Sequence, residues 1–513
     1  MRRIFPFKYL QENWLLVSLI TITAIIVWFK ILNIVPSDYA YFGPLDVSDI
    51  NYFSINSILS NAGFFSQLIY FALVPLFRDR IALYMAFQLI VMIMVFQTYY
   101  LVIVKITKDK YLSFLATVFF MANYVGTFTM FGTGNNQRFV QRIPNLPLIF
   151  VSFYYLTNYL ESNKKIKLLL SYILFIASVV LAHFSILFLP IFAVYPFVYF
   201  LLNRPKSVTF KSILLIPLFF AMISILLTRG DSLTRPNESP LSFIKETPIQ
   251  AVLYQISSVS FPQQLTVYIS KHLSPPIPYP YLQTQNFVLV VIAIIFLVAL
   301  LRGGKHIRSL PLYVTFLLSL PILSFFVIYA YNLDPNPIKF FDEDRIYFFH
   351  TILIAFIWAA CIKFFFGKNK TAYALVSILI AGIFLFENIS LIWKGIDRYQ
   401  YRSNMYRAFI GFTKTHSLSF SDKTVVISPP DMIRTTDPFI RRFYNLDRAT
   451  FIALEDGWVK QVADTKADKK DVYVLDYRYG YNANNDIDPH SVQIIDKSED
   501  FRTGKDINQF VKP

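Results

Sequence analysis

Charge is scarce in this sequence. Only 16% of its 513 residues are Asp, Glu, Lys or Arg, while 55% are hydrophobic. Soluble domains usually carry about 25% charged residues, so a water-facing surface around this much apolar chain is excluded. Cysteine is nearly absent. The single Cys361 lies inside an apolar run, which excludes an intrachain disulfide and a cysteine-ligated metal centre. Alternating ten-residue segments, the mark of a membrane barrel, are missing. There is no internal repeat and no low-complexity tract.

What is present is a series of twelve apolar blocks, roughly at 13–33, 62–77, 81–104, 111–131, 146–160, 168–184, 186–202, 212–228, 286–301, 310–330, 346–366 and 371–393. Most are long enough to cross about 30 Å of hydrocarbon as helices. In lipid the backbone must satisfy its own hydrogen bonds, so the blocks are expected to be helical. The basic stretch Met1–Lys8 precedes a first block too long for a signal-peptide core, and no small-residue cleavage site follows. It reads as an uncleaved first span with a cytoplasmic N-terminus.

The net charge is +16. In a soluble chain this would suggest nucleic acid. Here most Lys and Arg sit in short turns between apolar blocks, so they report topology and anionic lipid headgroups, and nucleic acid is not an expected partner. If 62–77 does not span, every dense basic cluster, such as Lys105/Lys108/Lys110 and Lys164/Lys165/Lys167, falls on one side. The carboxylate-bearing loops fall on the other. That count predicts roughly eleven spans, with 62–77 re-entrant or interfacial. In DINYFSINSILS at 49–60 the apolar residues recur at helical spacing, which predicts a helix lying in the interface plane. The outer loop at 229–285 is long and proline-rich, either a lid or an ordered surface loop.

The organisation expected is a transmembrane domain over 1–393, with a first outer loop at 34–80, followed by an extracytoplasmic α/β domain over 394–513. TVVIS at 424–428, DVYVLDY at 471–477 and VQII at 492–495 read as its strands.

Candidate chemistry gathers on the outer side. Asp46 and Asp49 are three apart in YFGPLDVSDINYF. Either is a candidate general base or a ligand orienting a divalent ion, and Asp49 is equally a plain N-terminal helix residue. Arg138 and Arg142 in GTGNNQRFVQRIPN have no acid beside them. Two guanidiniums next to apolar spans suit a phosphate. Lys339 and Arg345 flank the acids of DPNPIKFFDEDRIYFFH. Ionisable groups within spans are costly and therefore candidates: His183 in LAHFSILFLP, His350, and Glu387 in LFENIS. Each reads as a capping or interfacial residue or as part of a site.

With those residues in view, the chain resembles the C-type (GT-C) polytopic membrane glycosyltransferases, the superfamily of protein mannosyltransferases and the lipid A aminoarabinose transferase. The resemblance covers roughly 1–400. It rests on the first outer loop leading through Asp49-Ile50-Asn51-Tyr52-Phe53 into a membrane-lying helix, on LIYFALVPLF, on ITKDKYLSFLATVFF, on LAHFSILFLP with His183, and on DRIYFFHTILIAF with Arg345. The family's paired first-loop acid is split here into Asp46 and Asp49, and 132–145 has no carboxylate. The resemblance implies inverting transfer of a sugar from a polyprenyl-phosphate donor to a glycan, lipid or protein acceptor. Asp49 would be the base with Asp46 its rival, and Arg138, Arg142 and Arg345 would hold the leaving phosphate. A divalent cation is the one cofactor left open, with Asp49 its ligand. A bacterial inner membrane, with the C-terminus outside, is the expected location. The competing readings are a transporter or lipid flippase, for which a repeat would be expected, and a non-catalytic membrane scaffold.

Overall fold

The computed structural model describes residues 7–33, 81–128, 143–181, 183–203, 209–228, 310–330, 348–367 and 369–416, and in the tail 421, 424–428, 450–453, 471–477, 492–496 and 499. Among the described residues there are ten α-helices. They are α1 Phe7–Trp28, α2 Ile81–Thr107, α3 Lys110–Met121, α4 Leu146–Ser162, α5 Lys165–Leu181, α6 Leu189–Asn203, α7 Phe210–Thr228, α8 Leu310–Ala330, α9 Phe348–Phe366 and α10 Lys370–His416.

The chain is a helical integral membrane protein. Five described stretches are long and apolar enough to cross a bilayer: Asn13–Asn33, Ala82–Thr107, Ser185–Asn203, Phe348–Phe366 and Lys370–Asp397. Their side chains are arranged inside out relative to a soluble fold. Leu375, Ile378, Leu379 and Phe386 stand exposed on α10, Phe386 at 83%, while Ser, Thr and Asn side chains such as Ser152, Thr315 and Asn145 are buried. That distribution suits a solvent as apolar as leucine, in which polar groups seek one another.

Up to Trp393, the helices other than the last residues of the first segment form one compact unit. Helices joined by a short turn run antiparallel, as α4 and α5 do, whereas α2 and α4 pack in parallel, with Tyr99 beside Phe150 and Lys105 beside Tyr154. The α4–α5 hairpin is closed by Asn163, left-handed at φ 52°, whose N–H caps the Tyr159 carbonyl. Asparagine is one of the few side chains that takes this conformation at low cost. Along the hairpin seam Ser152 Oγ donates to the Ser171 carbonyl (2.7 Å) and Ser171 Oγ donates to the Ser152 carbonyl (2.9 Å). Small hydroxyl residues let the two backbones approach this closely. α9 packs most extensively along α3, and Phe120 lies 5.7 Å from Phe348 between ring centres.

Three boundaries differ from the sequence expectation. The block at 111–131 is helical only to Met121. Asn123 then takes the Gly126 N–H on its side chain (2.9 Å) and starts a π turn, Tyr124–Phe128. The block at 186–202 begins with a 3-10 turn, His183–Phe188, before α6. The last apolar block ends at 393, yet α10 continues to His416. Helix propagation needs no apolar surface, and no proline interrupts 394–416.

A second unit includes Lys30–Asn33 and the residues from Lys394 onward. Lys30 Nζ holds both carboxylate oxygens of Asp397 at 2.9 Å. The tail has a four-stranded sheet, β1 Thr424–Ser428, β2 Thr450–Ala453, β3 Asp471–Tyr477 and β4 Val492–Asp496, in the order β2-β1-β3-β4. β1 runs parallel to both its neighbours, in register Val426↔Phe451 and Val426↔Tyr473, and β4 is antiparallel to β3. Thr424, Val425, Val426, Ile452 and Val472 are buried in it.

Candidate functional site

The irregular backbone of the helical unit collects at one end. The C-terminus of α1 reaches that of α3, where Trp28 Nε1 donates to the Met121 carbonyl (3.2 Å). The start of α9 meets the same place through Phe348 and Phe120. Phe349 packs 5.6 Å from Phe188 of the 3-10 turn, and the π turn packs on α9. The residues before α4 join through Asn145, whose Nδ2 donates to Ser178 Oγ (3.3 Å) near the end of α5 and to Ser185 Oγ in the 3-10 turn.

At this end lies a polar node with a defined direction. Ser178 Oγ donates to Ser185 Oγ (2.7 Å), and Ser185 Oγ donates back to the Ser178 carbonyl (3.0 Å). With both Nδ2 protons of Asn145 committed, its Oδ1 is a buried acceptor with no hydrogen-bond partner among the described residues. A buried acceptor left so is a natural seat for water. Nearby, His350 is fully buried and its Nε2 lies 2.9 Å from Ser324 Oγ. Ser324 Oγ donates its one proton to the Leu320 carbonyl (3.0 Å). The imidazole therefore meets the hydroxyl as a donor, through Nε2–H.

No protein-family model matches this chain, and no curated protein matches it.

Asp46, Asp49, Arg138, Arg142, Lys339 and Arg345 lie outside the described residues, as do the helix expected at 49–60, the segment at 62–77 and the loop at 229–285. His183 opens the 3-10 turn, its side chain outside the description. His350 is in α9 as expected, and Glu387 is half-buried in α10. No group of three or more His, Cys, Asp or Glu suited to a metal occurs among the described residues.

What the described helices do fix is where the chain leaves them. α1 ends, and α2 begins, on either side of 34–80, which contains Asp46 and Asp49. The π turn and Ile143 bracket 129–142, with Arg138 and Arg142. α8 and α9 bracket 331–347, with Lys339 and Arg345. These points of departure all belong to the end where Trp28, Met121, Asn145, Ser185 and His350 lie. The sequence reading missed Ser324, Asn145, Ser178 and Ser185. Single serines and asparagines in apolar runs give no signal until their partners from other helices are known.

Proposed function

We propose that the chain is a membrane glycosyltransferase acting on a sugar carried by polyprenyl phosphate, at the membrane face where the three candidate-bearing segments attach. Asp49, or its rival Asp46, takes the proton of an acceptor hydroxyl. The hydroxyl oxygen bonds to the sugar's C1, the C1–O bond to phosphate breaks, and polyprenyl phosphate departs with inversion at C1. Arg138, Arg142 and Arg345 stabilise the negative charge that grows on the leaving phosphate, with Lys339 and His183 as further cations or donors beside it. This is general base catalysis joined to electrostatic stabilisation. A glycan, lipid or protein supplies the acceptor.

The single observation supporting this reading is the common end of attachment. Helix termini on either side of 34–80, 129–142 and 331–347 gather at one end of the helical unit. Segments rich in carboxylate and in guanidinium are thus tethered to one face, which is the arrangement a reaction on a lipid-linked phosphate requires. Part of the same reading is the fuller architecture: roughly eleven spans, a GT-C-like fold over 1–393, an extracytoplasmic α/β domain over 394–513, and a bacterial inner membrane with the N-terminus inside.

Transfer from labelled polyprenyl-phosphate sugars by the purified protein in detergent tests it, with Asp49→Ala and Arg345→Ala beside the wild type. Turnover that both substitutions reduce by at least about a hundredfold is the expected outcome. Absence of both turnover and donor binding in the wild type would overturn the reading and leave transport or scaffolding.

A further inference from the structure

The opposite end of the helical unit has a different chemistry. There Tyr100 Oη donates to Asn13 Oδ1 (3.1 Å), Lys105 Nζ donates to Tyr154 Oη (3.2 Å), and Lys363 pairs with Asp109 (2.8 Å). The Lys363–Asp109 pair joins residues 105–110, between α2 and α3, to 363–370, between α9 and α10, and Lys105–Tyr154 ties α2 to α4, which ends in the turn at 161–167. Among the described residues these three turns hold eight lysines against two carboxylates, Asp109 and Glu161. Asp109 is already committed to Lys363 and to the α3 N-terminus. Lys108, Lys164, Lys165 and Lys370 are exposed and form no ion pair among the described residues.

Exposed apolar residues adjoin these lysines in the chain: Tyr111 follows Lys110, Ile166 lies between Lys165 and Lys167, and Phe365 comes two residues after Lys363. A surface that only repelled or dissolved in water would not set aromatic and aliphatic groups among its charges. A surface meeting a phospholipid would, with the ammonium groups at the phosphates and the apolar groups at the first methylenes of the acyl chains.

We propose that these three turns form a binding surface for anionic phospholipid headgroups, held by Lys108, Lys164, Lys165 and Lys370. Lys105, fixed over the Tyr154 ring at 4.7 Å from its centroid, ties α2 to α4, and the Lys363–Asp109 pair ties α9 to the turn between α2 and α3. The lipids gathered there are a ring of specific ligands and stabilise the folded helical unit.

The test uses the full-length protein reconstituted in phosphatidylcholine bilayers with or without phosphatidylglycerol, read by native mass spectrometry of retained lipid and by melting temperature. The wild type is expected to retain phosphatidylglycerol over phosphatidylcholine and to melt higher in its presence, with the gain falling as salt is raised. The fourfold variant Lys108→Gln, Lys164→Gln, Lys165→Gln, Lys370→Gln is expected to melt as the wild type does in phosphatidylcholine. Its preference for phosphatidylglycerol should drop by roughly fivefold for each charge in contact. The corresponding fourfold Lys→Arg variant should keep the preference. Equal retention of the two lipids by the wild type would overturn the proposal, as would undiminished preference in the Gln variant. Equal stabilisation by inorganic phosphate alone would also overturn it, because the acyl chain would then have no part.

Discussion

The Asp109 carboxylate serves two helices at once: one oxygen accepts the Leu112 N–H at the start of α3 (2.9 Å) and the other holds Lys363 of α9 (2.8 Å). The two side chains are 16% and 23% exposed, so the pair is neither screened as at a surface nor fully desolvated. Asp109→Ala removes both functions and is expected to cost about 1–3 kcal/mol, from the cap and from the lysine left partly buried alone. Asp109→Asn keeps the cap and is expected to cost less. Melting of the purified variants in one detergent checks the order, and an Asn variant as unstable as the Ala variant would assign the whole effect to the ion pair.

The reciprocal hydroxyl contacts between Ser152 and Ser171 set the spacing of α4 and α5. Ser152→Ala is expected to lose about 0.6 kcal/mol, the usual worth of an interhelical hydrogen bond in a membrane protein. Ser152→Leu adds volume where two backbones nearly touch and is expected to lose about 1–3 kcal/mol. Thermal melting separates these, and a Leu variant no worse than Ala would show that the seam can open without loss.

Two indoles cap helix ends. Trp28 Nε1 donates to the Met121 carbonyl (3.2 Å), and Trp393 Nε1 donates to the Val27 carbonyl (3.1 Å). The last carbonyls of a helix have no intrahelical partner. Trp28→Phe preserves much of the packing and leaves the Met121 carbonyl bare, at an expected cost of about 1 kcal/mol. Trp28→Ala also opens a cavity at a fully buried site, for about 3–5 kcal/mol. The gap between the two variants in melting temperature measures packing against hydrogen bonding.

His350 and Ser324 are coupled through one hydrogen bond inside the helical unit. Ser324→Ala leaves the Nε2–H without its acceptor, for an expected loss of about 1–3 kcal/mol. In Ser324→Ala/His350→Leu no imidazole remains to be satisfied at that point. The double variant should therefore be less unstable than the two single effects added together. A double-mutant cycle gives the coupling directly. Strict additivity would show that the contact contributes nothing to folding.

Much of the secondary structure was legible in the chain. α8 occupies the same 310–330 as its apolar block, and β1 and β3 occupy the expected 424–428 and 471–477. β2 at Thr450–Ala453 went unread because four residues, followed closely by Glu455 and Asp456, are too few to establish alternation. The continuation of α10 past 393 went unread because the apolar run stops there and the helix does not. Of the candidate site, the chain alone drew attention to His350 but not to Ser324. A buried histidine is conspicuous among apolar residues, whereas its hydroxyl partner is one serine of many and lies on a different helix.

The sequence by itself determined the class of the protein. Apolar blocks as long as a bilayer is thick, with little charge between them, leave helices as the structure that satisfies every backbone group in lipid. Only the tertiary structure decided which polar residues meet: Ser152 with Ser171, Asn145 with Ser178 and Ser185, Ser324 with His350, Asp109 with Lys363. Periodicity places a residue on a helix face, but partners on other helices are chosen by packing, where hydrogen bonding and close approach of small residues replace the hydrophobic effect that lipid removes.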